Sequence, residues 1–82
     1  MQVELKLFAT LMSYLPPGAR KNAAMVEVES DCTPNQLLDR HRVPREEVHL
    51  VLLNGHFVNE EDRDKPMQEG DTLAIWPPVA GG

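Results

Sequence analysis

The chain has 82 residues and a formal net charge of −5, and at this length one domain can fold without disulfides or metals. The acidic charge would repel a phosphate backbone, so we expect no nucleic-acid partner. A single cysteine, Cys32, excludes an internal disulfide and a four-cysteine zinc site. No apolar run in the sequence approaches the roughly twenty residues that span a bilayer. We therefore expect a soluble, cytoplasmic protein with no membrane partner.

The first third of the chain predicts a β-hairpin. Residues 2 to 8 alternate between apolar and polar positions, and Phe8 falls on the polar side of this pattern. Residues 26 to 29 alternate in the same way. We expect the second strand to pair with the first across a connection at residues 9 to 24.

A short helix and a second hairpin are predicted next. Thr33, Pro34 and Gln36 combine an N-cap, a proline at the first helical position and a glutamine that can reach back to the cap. Asn54 and Gly55 follow an apolar run, and both residue types tolerate the positive φ of a two-residue hairpin turn. These patterns predict a helix that begins at Pro34 and a tight antiparallel hairpin after it.

The last strand is predicted to run up to Trp76. Its alternation places Leu73 and Ile75 on one face and Trp76 on the other. Two successive prolines, Pro77 and Pro78, end the strand, because proline supplies no backbone donor to a ladder.

The element order is two hairpins separated by a helix, followed by a strand that we expect beside the first strand. This order predicts an α+β fold, the ubiquitin-like β-grasp, with a mixed sheet of about four to five strands and one main helix packed on one face. We assign residues 1–76 to this domain and residues 77–82 to a flexible C-terminal Gly-Gly tail. The expected core consists of Val3, Leu5, Leu7, Val26, Val28, Leu37, Leu38, Leu73 and Ile75.

Three large aromatic residues, Phe8, Phe57 and Trp76, are predicted to lie on the sheet face opposite the helix. A contiguous apolar patch exposed on a small protein marks an interaction surface. The alternative is that one or more of these side chains curls over the sheet edge. For an interaction surface, we expect Trp76 to be substantially exposed in the free protein.

Conventional catalytic and metal-binding patterns are nearly absent from the sequence. His41, His49 and His56 lack the spacing of metal ligands, and no basic residue adjoins Cys32 to lower its pKa. The acidic cluster within residues 60–64 lacks the spacing of a calcium loop. We therefore expect no metal and no cofactor, and we expect that the chain is not itself an enzyme.

The last six residues carry no charged side chain and end on Gly81 and Gly82. Fully extended, they reach roughly 20 Å, which is enough to thread from the last strand into the active site of a neighbouring protein. Two glycines allow the α-carboxylate to enter a narrow channel. This carboxylate becomes an acyl donor or a thioacid only after activation by ATP on another enzyme. The alternative is an inert, disordered terminus.

Four segments carry a resemblance to a known family: Leu7-Phe8-Ala9, Leu53-Asn54-Gly55, Glu69-Gly70-Asp71 and Pro77-Pro78-Val79-Ala80-Gly81-Gly82. They make the whole chain similar to the sulfur carrier family that contains the small subunit of molybdopterin synthase and the thiamine-biosynthesis sulfur carrier. The last segment is the most specific. Its Pro-Pro element is more similar to the molybdopterin branch.

The resemblance implies that an ATP-dependent adenylating enzyme, similar to those that activate ubiquitin, adenylates Gly82, which is then converted to a thiocarboxylate. Gly81, which has no side chain, would precede this acyl carrier and allow it to enter a narrow channel. The sulfur would be delivered inside the large catalytic subunit of a molybdopterin synthase-type complex. The partner-binding residues that we expect are Phe8, Phe57, Trp76, Pro77, Pro78, Val79 and Ala80.

Three other functions stay open at this point. The chain could carry sulfur for thiamine, cysteine or another sulfur-containing metabolite. It could instead be a protein modifier that is conjugated through Gly82 to lysines. The third alternative is a plain interaction domain with an inert tail.

Overall fold

Alternating hydrophobic residues form a mixed five-stranded sheet in the computed structural model, which describes residues 1–78. Its strands are β1 (Gln2–Leu7), β2 (Ala23–Glu27), β3 (Leu50–Leu53), β4 (His56–Phe57) and β5 (Thr72–Trp76). The spatial order is β2-β1-β5-β3-β4. β1 and β5 pair in parallel at the centre, and the other neighbours are antiparallel. The predicted α+β fold is confirmed, with the first and last strands as its central pair.

The main helix, α1 (Pro34–Arg40), begins at the predicted capping box. The Gln36 backbone N–H donates to Thr33 Oγ1 at 3.1 Å, and the Thr33 N–H donates to Gln36 Oε1 at 3.0 Å. These two bonds satisfy backbone donors that have no partner within the helix. Within residues 1–78, three short 3₁₀ helices accompany α1, at Ala9–Tyr14, Arg45–Glu47 and Glu60–Asp64. Among the described residues, no helix has the length and apolar character needed to cross a bilayer.

The core lies between α1 and one face of the sheet. Of the predicted core residues, all are buried except Val26, which is partly buried. Val26 is less covered because β2 is an edge strand with a neighbour on one side only. Additional buried apolar side chains are Leu11, Cys32, Val43, Val51, Val58 and Met67.

The second hairpin turns at the predicted two residues. Asn54 and Gly55 have φ angles of 52° and 83°, as a type I′ turn requires. The Asn54 side chain also holds the hairpin against β5, because its Oδ1 accepts the Thr72 N–H at 2.8 Å and its Nδ2 donates to Asp71 at 2.8 Å. This turn therefore fixes the position of β4 relative to the centre of the sheet.

The capping box gives a first test of the fold. We expect Thr33→Ala to lower the free energy of unfolding by about 1 kcal/mol, because the substitution removes the side-chain acceptor of an N-cap. Thr33→Ser keeps the hydroxyl and should retain most of the stability. Urea unfolding followed by circular dichroism measures both variants. Equal midpoints for wild type and Thr33→Ala would contradict a stabilising role for this cap.

Candidate functional site

The sheet face opposite α1 carries a group of apolar side chains around the ends of β1 and β5. The strand registers pair Leu52 with both Phe57 and Ala74, and Leu50 with Trp76. Residues that are paired across a ladder share a face of the sheet, so these side chains lie together. We call the following set the aromatic face: Phe8, Leu50, Leu52, Phe57, Ala74 and Trp76.

Phe8 and Trp76 stack on each other at the centre of the aromatic face. Their ring centroids are 4.1 Å apart, and the ring planes differ by 6°. The contact follows from strand pairing, because the Phe8 N–H donates to Ile75 O at 3.1 Å and extends the β1–β5 ladder by one residue. Both aromatic residues are half-buried. Trp76 is therefore less exposed than we expected, since Phe8 covers one side of its indole ring.

Phe57 lies at the outer edge of the aromatic face, and 64% of its surface is exposed. Ala74, on the central strand β5, is only 8% exposed, and Leu50 and Leu52 are intermediate. The aromatic face is thus covered at its centre and open at its β4 edge. An exposed phenylalanine beside half-buried leucines is the arrangement expected of an anchor for a protein partner.

Sequence reasoning missed Leu50 and Leu52 as members of this surface. The signal was present as a continuous apolar run through residues 50–53, which is typical of a strand with apolar groups on both faces. Val51 supplies the core face of β3, whereas Leu50 and Leu52 supply the other. The strand therefore contributes to the core and to the aromatic face at once.

The C-terminal end of β5 joins the aromatic face to the tail. The strand ends at Trp76, whose carbonyl accepts the His49 N–H at 2.9 Å. Pro77 is half-buried and Pro78 is exposed, and both follow the strand without joining it. The remaining predicted site residues, Val79, Ala80, Gly81 and Gly82, lie outside the described residues. The described part of the chain consequently ends two residues beyond the aromatic face.

The titratable groups with displaced pKa values lie outside the aromatic face. Burial, with a contribution from Asp31, raises the pKa of the Cys32 thiol, which fits a packing role and not that of a nucleophile. Burial, followed by the nearby Arg40 charge, lowers the pKa of His41. Within residues 1–78, no group of three or more potential metal ligands comes together. The aromatic face is thus a candidate for docking and carries no acid, base or nucleophile of its own.

Comparison with known proteins identifies the family. Residues 1–81 match the family model described as Mut7-C ubiquitin. The chain belongs to the Mut7-C ubiquitin family. A search of curated proteins finds no match.

Solved structures of small ubiquitin-like proteins resemble this family member along its whole length. SAMP1, the small archaeal modifier protein 1 of Haloferax volcanii, is 27% identical, with 100% of both chains covered and a TM-score of 0.69. The HVO 2177 protein of the same organism is 26% identical, covering 100% of this chain and 87% of that chain, with a TM-score of 0.76. In the complex of subunits 1 and 2 of the Helicobacter pylori molybdopterin-converting factor, the matched chain is 23% identical, with 100% of both chains covered and a TM-score of 0.59. This last likeness concerns the fold alone. Together with the family model, the matches confirm the ubiquitin-like β-grasp and the ubiquitin-like part of the predicted resemblance.

The aromatic stack can be tested with the intrinsic fluorescence of Trp76, the single tryptophan of the chain. We expect Phe8→Ala to shift its emission to longer wavelength, because removal of the phenyl ring opens one face of the indole to water. Met25→Ala is the matched control, since Met25 is exposed on β2, away from the stack. An emission maximum that does not move in Phe8→Ala would show that the stack is not formed in solution.

Proposed function

We propose that this chain is a sulfur carrier that acts as the small subunit of a molybdopterin synthase-type complex. Its Gly82 carboxylate is adenylated and converted to a thiocarboxylate, and the sulfur is then donated to a pterin precursor inside the large catalytic subunit. The observation that carries the proposal is the junction at Trp76, where the central strand of the sheet, the aromatic face and the start of the tail meet. The proposed setting is the cytoplasm.

Docking through the aromatic face would fix the point from which the tail extends. Trp76 belongs to the docking surface and directly precedes Pro77 and Pro78, whose fixed φ angles limit the directions the chain can take. Residues 77–82 reach roughly 20 Å when extended. A partner that binds the aromatic face therefore holds the origin of the tail, and this positioning lowers the entropic cost of placing Gly82 in an active site.

The chemistry at Gly82 requires a separate activating enzyme. A carboxylate is a poor electrophile, so one of its oxygens first attacks the α-phosphorus of ATP and pyrophosphate leaves. Hydrosulfide from a sulfur donor then attacks the acyl carbon and displaces AMP, which leaves the thiocarboxylate with no change of oxidation state. Cys32 cannot serve as that nucleophile, because it is fully buried and its pKa is raised. The chain thus acts as a co-substrate, and the catalysts are its partners.

The central test of the proposal is an intact mass measurement. After incubation with its adenylating enzyme, ATP and a sulfur donor, the protein should gain about 16 Da, because a sulfur atom replaces one carboxylate oxygen. Adding one residue after Gly82 displaces the acyl carbon by about 3.5 Å, and deleting Gly82 moves it as far the other way. Since misplacement near 1 Å can already cost about a hundredfold in rate, both variants should fail to gain the mass.

Gly81→Val completes this set, because a branched side chain would obstruct a channel that fits glycine. All three variants should unfold at the wild-type temperature, since the altered positions follow the last strand of the sheet. If the extended variant remains fully functional in its pathway, the acyl-carrier proposal is wrong and a plain interaction domain is left.

A protein modifier is the second candidate function, and the likeness to SAMP1 favours it. That protein is named a small archaeal modifier and is 27% identical over the full length of both chains. Both functions begin with adenylation of Gly82, but their products differ. A modifier forms isopeptide bonds to lysines of other proteins, whereas a sulfur carrier regains a free carboxylate. Covalent adducts in place of the 16 Da product would assign the modifier function.

The docking part of the proposal predicts that Phe57→Ala weakens binding to the large catalytic subunit. Truncation of an aromatic anchor at an interface typically weakens the binding free energy by about 2 kcal/mol or more, which corresponds to a dissociation constant about 30-fold larger. Trp76→Ala should weaken binding in the same way. Isothermal titration calorimetry measures the affinities.

Phe57 is the cleaner position for this measurement because its side chain is largely exposed, so truncation should leave the fold unchanged. Met25→Ala, at the opposite edge of the sheet, should bind like wild type. Equal affinities for Phe57→Ala, Trp76→Ala and wild type would show that the partner docks elsewhere.

A further inference from the structure

The outer edge of β2 presents backbone groups that the sheet does not use. The Val28 N–H donates to Met1 O at 2.8 Å, so Val28 and Met1 form a hydrogen-bonded pair of the β1–β2 ladder. Such pairs alternate with non-hydrogen-bonded pairs along an antiparallel ladder. Met25 and Glu27 occupy the alternate positions, and their N–H and C=O groups therefore point away from β1.

These outward groups are accessible over a short stretch. Within residues 1–78, no backbone or side-chain hydrogen bond engages the outward groups of Met25 and Glu27. The edge is closed before this stretch, because Ala23 and Arg20 exchange backbone hydrogen bonds of 2.9 and 3.0 Å. Met25 is 57% exposed. An unpaired strand edge with an exposed apolar side chain is a template for pairing with another strand.

The two ends of this edge carry opposite charges. Arg20 and Lys21 precede β2, whereas Glu27 and Glu29 lie at its other end. The N-terminal ammonium lies 3.1 Å from Glu27, and Arg40 contacts Glu29, but these acidic side chains are 71% and 62% exposed and can accept further bonds. A two-fold axis across the edge brings the basic end of one copy against the acidic end of the other.

We propose that β2 pairs antiparallel with β2 of a second copy of this chain and forms a homodimer. When the two-fold axis passes Val26, Met25 of each copy faces Glu27 of the other, and each such pair can exchange two backbone hydrogen bonds. A surface depression of about 370 Å³ beside Met25 would receive the Glu27 side chain of the second copy. It is lined by Glu4, Gly18, Arg20, Ala23, Ala24 and Met25.

The charges that line the depression favour binding of an acidic side chain, such as Glu27 of the second copy. Arg20 supplies a guanidinium without a salt-bridge partner among residues 1–78. Glu4, the acidic group in the lining, accepts the Thr72 hydroxyl at 3.1 Å and is therefore directed toward β5, away from Arg20 and β2. The self-complementary pattern selects a second copy as the occupant, because the same edge supplies both the basic and the acidic end.

The dimer leaves the aromatic face available. β2 is at one edge of the sheet, while β4 with Phe57 is at the other, and β5 delivers the chain to Pro78 between them. Two copies would form one continuous sheet, and the tail of each copy would start from the central strand β5 of that copy. The proposal therefore does not rest on the sulfur-carrier function, and its test is independent of Gly82.

Reciprocal charge reversal provides the test. One variant carries Arg20→Glu with Lys21→Glu, and the second carries Glu27→Lys with Glu29→Lys. For wild type we expect weak association, with a dissociation constant on the order of 100 µM, because the paired edge is short. Each variant alone should sediment as a monomer, since its two ends now repel their counterparts. An equimolar mixture should form a heterodimer at low salt, because both contacts are then attractive.

Sedimentation equilibrium measures the wild type, the two charge variants and their mixture, and circular dichroism verifies that the variants are folded. Met25→Pro is a second disruption, because it removes an outward N–H that the β1–β2 ladder does not use, and it should also abolish association. A wild-type protein that stays monomeric at 1 mM would overturn the proposal. Association that survives in the single charge variants, or that Phe57→Glu abolishes, would assign the contact to another surface and equally overturn it.

Discussion

The parallel pairing of β1 with β5 is the constraint on which the rest of the structure depends. It joins Leu5 to Leu73 and Leu7 to Ile75, which places the centre of the core under α1. Parallel strands end at the same edge of a sheet, so Phe8 and Trp76 meet where β1 and β5 stop. The same pairing therefore builds the core, creates the aromatic stack and sets the origin of the tail. Parallel pairs need long connections, and the intervening hairpin and helix supply one.

Local signals in the sequence predicted most of the fold, because the structures they specify need few residues. The capping box of Thr33 and Gln36 and the turn at Asn54 and Gly55 are decided by side chains within four positions of each other, and both form as predicted. The bounds of β2 were less predictable. Alternation pointed to residues 26–29, whereas the strand spans Ala23–Glu27, since its ends depend on pairing with β1.

The sequence predicted which face of the sheet the site residues occupy, but it did not predict the contacts between them. A period of two residues decides which face a side chain occupies, and this placed Phe8 and Trp76 together on the face opposite α1. The stack between them is a contact across strands, so no local pattern predicts how much of Trp76 it covers. The sequence did not predict Leu50 and Leu52 as members of the aromatic face for a different reason. In a continuous apolar run, alternation no longer separates the core face from the other.

The half-buried stack also suits the proposed function, in which the aromatic face would have to bind partners and release them. Phe8 and Trp76 each cover one ring face of the other, which limits the apolar area in contact with water before any partner arrives. Only the outer ring faces and Phe57 are left for a partner to cover. A fully exposed tryptophan would strengthen docking, but a chain with the proposed carrier function would also have to dissociate from each enzyme that it binds. Under the proposed function, the moderate apolar area of the aromatic face would allow both binding and release.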